Sequence, residues 1–92
     1  MNAGRPILIH VTAEWCPICH KQKPIVSDLL SKPEFKVIRK FEIDFDTEKA
    51  VLRRYAVQQQ STLIVFRNGQ EVDRQVGQTD AAVIEALLRE AL

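Results

Sequence analysis

The sequence predicts an α/β fold: a four-stranded mixed sheet with three helices, in the order β-α-β-α-β-β-α. Three observations carry that expectation. Short β-branched runs, ILIHVT at 7–12 and TLIVF at 62–66, read as buried strands. Segments with apolar residues at three- and four-residue steps lie between the early strands, and strand–helix–strand units imply right-handed parallel crossovers. Asn68-Gly69 is a strong hairpin-turn signal and adds an antiparallel pair near the end.

The elements follow in order. After the first strand, Pro17 suits the first turn of a helix, where its missing N–H costs nothing. Ile18, Ile25, Val26, Leu29 and Leu30 continue at helical spacing. Pro24 lies inside this helix and should bend it, and Pro33 falls just past its end. Residues 36–43, KVIRKFEI, predict a second strand with Val37, Arg39, Phe41 and Ile43 on one face. Asp46 or Thr47 is placed to cap a short helix running to about Tyr55. Residues 71–76, EVDRQV, form the return strand of the hairpin, and Gly77 breaks it. Thr79 or Asp80 caps a last helix with an apolar stripe of Val83, Ile84, Leu87, Leu88 and Leu92.

The 92 residues suit a single domain, 1–92. The net charge of +1 comes from 13 basic and 12 acidic residues. That balance gives no electrostatic case for nucleic acid or an anionic membrane. No apolar run approaches the roughly 20 residues of a membrane helix. MNAGRPILIH lacks an apolar signal core, so a soluble, monomeric, cytoplasmic protein is expected, or a periplasmic one if a signal or anchor has been removed.

The two cysteines, Cys16 and Cys19, sit in WCPICH. C-x-x-C can be a redox dithiol or half of a metal site, and C-x-x-C-H also spells the c-type haem attachment signature. A closed zinc site usually takes four Cys and His ligands, and here only Cys16, Cys19, His10 and His20 are on offer. Haem would take His20 as one axial ligand, leaving Met1 and His10 as the remaining candidates. A sheet-rich crossover pattern is not that of a small helical cytochrome.

Nearly the whole chain resembles the thioredoxin superfamily. HVTAEWCPIC resembles its strand-to-active-site stretch, and Pro24 matches its helix-kinking proline. FEIDFDTEKAVLRRYAV resembles its second βα unit, and TLIVFRNGQEVDRQVG its hairpin, with Gly77 at a glycine near the dithiol. The chain resembles the minimal form of the fold, without an extra N-terminal strand and helix. The resemblance implies a thiol–disulfide oxidoreductase acting on protein disulfides, with a thiol reductant or oxidant as second partner. It implies no cofactor beyond a reversible Cys16–Cys19 disulfide. Cys16, at a helix N-terminus that stabilises a thiolate, is the expected nucleophile. Cys19, one turn later, resolves the mixed disulfide. Trp15, Pro17, Ser61 and Thr62 are the expected substrate-facing residues.

Three departures from the family pattern stand out. Ser61 occupies the place of a cis-proline facing the dithiol, and a trans Gln60–Ser61 bond is expected because a cis bond before a non-proline costs about 2.5–4 kcal/mol. His10 replaces a buried acid beneath the cysteines. It is read as a proton relay for Cys19, against the alternative of a satisfied core histidine. Pro17-Ile18 replaces the Gly-Pro typical between the cysteines. The Ser61 hydroxyl is placed to hydrogen-bond Cys16. Loss of the proline also opens an alternative function, a metal or iron–sulfur cluster held by Cys16 and Cys19 from two chains. Lys40 aligns with a family lysine beside the buried acid, where it would now meet His10. His20 reads as a solvated residue or a cation near the thiolates, and Lys21, Lys23, Arg53 and Arg54 as solvated faces.

Overall fold

The computed structural model describes residues 5–92, so Met1 and the next three residues of MNAGRPILIH lie outside the described residues. The elements are β1 (Ile7–Thr12), α1 (Pro17–Leu30), a 3₁₀ turn (Pro33–Phe35), β2 (Arg39–Asp44), α2 (Lys49–Arg54), β3 (Thr62–Arg67), β4 (Gln70–Val76) and α3 (Ala81–Glu90). They make one mixed sheet in the order β2-β1-β3-β4. The β1–β2 pair is parallel, and β3 runs antiparallel to both β1 and β4. Asn68 and Gly69 both take positive φ, 55° and 78°, as a two-residue turn of the hairpin-compatible hand requires.

Alternation along the central strands sorts the core into two layers. Leu8, Leu63 and Val65 face α1 and α3, where they meet Val26, Leu29, Ile84, Leu87 and Leu88. Ile7, Ile9, Val11, Ile64 and Phe66 face the other way, against Leu52 of α2. Tyr55 closes that second layer edge-on to Phe66, with ring centroids 5.5 Å apart. The even-numbered set of β1 therefore puts His10 on the α1 side of the sheet.

Several expectations are corrected. The second strand starts at Arg39, not at residue 36. Pro33 opens a 3₁₀ turn instead, and the Ile38 N–H bonds the Phe35 carbonyl at 3.0 Å. This connector buries Phe35 and Ile38 in the first core layer. The strand itself is an edge, so Phe41 stays exposed and only Ile43 packs against the core, while Val37 lies exposed in the connector before it. Neither Asp46 nor Thr47 caps α2. The cap position is Glu48, without a side-chain cap bond. Its carboxylate takes the Asp44 N–H at 2.8 Å instead. Asp80 does cap α3, accepting from the Ala82 N–H at 2.8 Å. The inward stripe of α3 is Ile84, Leu87, Leu88 and Ala91, while Val83 and Leu92 face solvent.

Phe35 is fully buried in a connector and touches the α1–α3 layer. Phe35→Ala should destabilise the fold by about 3–5 kcal/mol in denaturant unfolding, as expected for truncating a core aromatic.

Candidate dithiol site

The site forms where β1 runs into α1. The Cys16 N–H bonds the Ala13 carbonyl at 3.1 Å, a tight turn that brings Cys16 to the cap position of α1. Pro17 follows as the first helical residue. Cys19 is the third helical residue, whose N–H has no partner within the helix, and that N–H points at the Cys16 sulfur, 3.1 Å away. That sulfur is thus the helix's own N-cap acceptor, where the backbone dipole favours negative charge. Cys16 and Cys19 are both free thiols, 1% and 0% exposed.

Ser61 faces them from the loop before β3. Its hydroxyl oxygen lies 3.4 Å from the Cys16 sulfur and 3.5 Å from the Cys19 sulfur. A hydroxyl has one hydrogen to give and lone pairs to accept with. It can therefore donate to a Cys16 thiolate while accepting from the Cys19 thiol. The peptide bonds of the described residues are all trans, as expected for Gln60–Ser61.

These contacts separate the two thiols. Burial pushes the Cys16 thiol up, but hydrogen bonds from Cys19, Ser61 and the backbone outweigh it, so its pKa falls below the ordinary value. Burial pushes the Cys19 thiol up as well, and there the Cys16 sulfur adds to the rise, so its pKa ends above the ordinary value. An acidic thiol and a reluctant one, side by side, are what stepwise disulfide exchange needs.

His10 is fully buried, and its Nε2 lies 3.0 Å from Gln22 Oε1 on α1. The Gln22 Nε2 donates to the carbonyls of Ser61 (3.1 Å) and Gln78 (2.9 Å). Because both amide hydrogens are committed, Oε1 must accept from His10, which makes neutral His10 the Nε2–H tautomer. Its Nδ1 has no partner among the described residues. His10 thus connects to the dithiol through Gln22 and the Ser61 backbone. Lys40 does not confront it as a bare cation: Glu42, paired with His10 in the β1–β2 register, holds Lys23 at 3.4 Å and Lys40 at 3.6 Å.

The remaining expected residues lie around the rim. Trp15 is 57% exposed, and its indole N–H donates to Asp46 Oδ2 at 2.8 Å. Pro17 and Ile18 are exposed beside it. The His20 ring Nε2 donates to the Glu14 carbonyl at 2.6 Å and so holds the loop that carries Trp15. Thr62 is buried, with its hydroxyl bonded to the Gln59 carbonyl at 2.7 Å, so it shapes the loop. No group of three or more His, Cys, Asp or Glu side chains is arranged to hold a metal among the described residues. Gln22, Glu42 and the contact of Asp46 with Trp15 escape sequence reasoning. Gln22 alone carried a signal, a polar residue on the inward face of an apolar helix.

A C-x-x-C dithiol at the start of a helix, just past the end of a central strand of a mixed four-stranded sheet, defines a thiol–disulfide oxidoreductase. The family model for thioredoxin matches residues 1–90, and the chain belongs to that family. A thioredoxin H-type of Fagopyrum esculentum is 37% identical over 83% of this chain, which spans 64% of that relative's length. A thioredoxin of Mycolicibacterium smegmatis is 31% identical over 98% of this chain and 79% of its own. Among solved structures, Trxlp from Edwardsiella tarda superposes with a TM-score of 0.91 at 44% identity, covering 92% of this chain and 82% of that one.

Burial lowers the pKa of His10 below its ordinary 6.5, against the opposing pull of Gln22 and Glu42. The unfolded chain takes up that proton as pH falls through 6.5, and the folded protein resists it. Stability should therefore decline below that pH, by at most about 1.4 kcal/mol per pH unit from this residue. Denaturant unfolding across pH 7 to 5 checks this, with His10→Gln, which cannot titrate, expected to flatten the slope.

Proposed function

We propose that this protein exchanges disulfides with other proteins, with Cys16 attacking and Cys19 resolving. The observation that carries the reading is the Cys16 sulfur. It caps α1, accepts the Cys19 N–H and lies within reach of the Ser61 hydroxyl.

The reaction runs in two displacements. The Cys16 thiolate attacks one sulfur of a substrate disulfide, forming a Cys16–substrate disulfide and expelling the other substrate sulfur as a thiolate that takes a proton. Cys19 then loses its proton and attacks the Cys16 sulfur. The second substrate thiol leaves, two electrons have passed to the substrate, and Cys16–Cys19 is a disulfide. The 3.5 Å contact gives the Cys19 thiol an acceptor in Ser61, and the one-turn spacing gives its attack a high effective concentration. A thiol-donating partner resets the dithiol, so the cycle needs no group beyond the two cysteines.

Substrate meets the exposed rim of Trp15, Pro17 and Ile18. The Ser61 N–H and C=O are both bonded internally, to the Val11 carbonyl and from the Gly77 N–H. Backbone pairing with a substrate strand therefore falls to the neighbours of Ser61 rather than to Ser61 itself. Its hydroxyl remains aimed at the sulfurs.

Reduction of insulin disulfides with dithiothreitol as the donor tests the assignment. Cys16→Ser should abolish the protein's acceleration. Cys19→Ser should accumulate a mixed disulfide with substrate, visible without reductant on a gel. Full activity in Cys16→Ser would remove Cys16 from the nucleophile's role.

A further inference from the structure

Gln22 has no part in the displacement steps, yet it is the best-connected polar side chain beneath them. It is fully buried on the inner face of α1, among residues that are otherwise apolar or part of the dithiol. One planar amide reaches three separate segments: His10 on β1, the Ser61 carbonyl before β3, and the Gln78 carbonyl after β4. All three of its bonds lie between 2.9 and 3.1 Å. A side chain that only filled space there would be apolar, since burying an amide is unfavourable without full pairing.

Its most telling partner is Ser61. This residue sits at φ 61°, a left-handed conformation that non-glycine residues seldom adopt. Such backbone persists only where its surroundings over-determine it. Ser61 is fixed at both ends of its peptide unit. Its N–H donates to the Val11 carbonyl at 2.9 Å. Its carbonyl accepts from the Gly77 N–H at 3.0 Å and from Gln22 at 3.1 Å, which fills both lone pairs. With the peptide so held, the side chain projects its hydroxyl to the two sulfurs. Where a rigid proline ring would need no such support, a serine does.

We propose that Gln22 is a positioning residue of the dithiol: its carboxamide locks Ser61 in the left-handed conformation that places the Ser61 hydroxyl against both sulfurs. The same amide holds His10 in its Nε2–H form and so ties the histidine to the loop. The charged groups around this network are Glu42 and Lys40 of β2 and Lys23 of α1, all gathered on the His10 side. Cys16 itself faces the Cys19 thiol, the Ser61 hydroxyl and backbone N–H groups. Gln22 therefore acts on Cys16 through Ser61.

The proposal rests on the redox-dithiol reading, and its test needs no substrate. The Cys16 pKa is read from ultraviolet thiolate absorbance in four proteins: wild type, Gln22→Met, Ser61→Ala and the double variant. Loss of a hydrogen bond to a thiolate should raise that pKa by roughly one unit, a tenfold fall in the thiolate-to-thiol ratio. Gln22→Met should give this rise when Ser61 is present and no further rise in the Ser61→Ala background. An unchanged pKa in Gln22→Met, or an equal rise in both backgrounds, overturns the proposal. If Gln22→Met does not fold, NMR on the wild-type protein decides. The two Gln22 amide protons should be distinct and protected from exchange, with one close to the Gly77 N–H. Solvent-like exchange of those protons overturns the proposal too. Failure of the wild-type protein to reduce disulfides would instead count against the oxidoreductase reading and leave the titration result standing.

Discussion

One residue held against its own preference organises the site. Ser61 takes a left-handed backbone conformation, at a cost of order 1–3 kcal/mol for a non-glycine residue, and puts a hydroxyl within 3.4 and 3.5 Å of the two sulfurs. Everything that fixes it comes from elsewhere in the chain: Val11 at the end of β1, Gly77 at the end of β4, Gln22 in α1. Gly77, at φ 73°, can turn its N–H back toward Ser61 because it bears no side chain to resist that conformation. The sheet and the first helix thus meet at this loop. The fold works as the clamp that holds it.

From this clamp the chemistry follows by electrostatics. Both sulfurs are equally buried, so desolvation alone would make both thiols reluctant to ionise. The asymmetry comes from where each sits on α1. Cys16 is the cap and receives the Cys19 N–H and the Ser61 hydroxyl, whereas Cys19 is a turn inside the helix and feels the Cys16 sulfur beside it. The two thiols differ because the cap and the first turn of one helix meet different donors. A thioredoxin-family dithiol here runs with a serine in front of it and a histidine–glutamine pair beneath it.

Much of this was legible in the sequence. Short β-branched apolar runs in ILIHVT and TLIVF marked the central strands, Asn68-Gly69 the hairpin, and Pro17 the helix start that makes Cys16 its cap. The misses have a common physical origin. Residues 36–38 carry strand-like letters, but their chain is committed by Pro33 to a 3₁₀ turn whose purpose is to bury Phe35. Val83 and Leu92 fit a helical stripe, yet the face that packs on the core is Ile84, Leu87, Leu88 and Ala91, and the other two stay in solvent. Asp46 looks like a cap and is instead drawn to the Trp15 indole, a contact 31 residues away that no local rule contains. In the site, the cysteines were legible because their motif marks them, and Ser61 because the family resemblance places a cis-proline at its position. Gln22 was not, because its three partners come together only in the folded chain.

The central claim is that position on α1, and the Ser61 hydroxyl, make Cys16 the acidic thiol of an unequal pair. Titrating thiolate absorbance in the wild-type protein tests it most directly, with Cys16→Ser and Cys19→Ser to assign the steps. The account predicts two separated ionisations: a first one below the ordinary cysteine value that disappears in Cys16→Ser, and a second above it. A first ionisation that survives in Cys16→Ser, or a single step at the ordinary value, would contradict it.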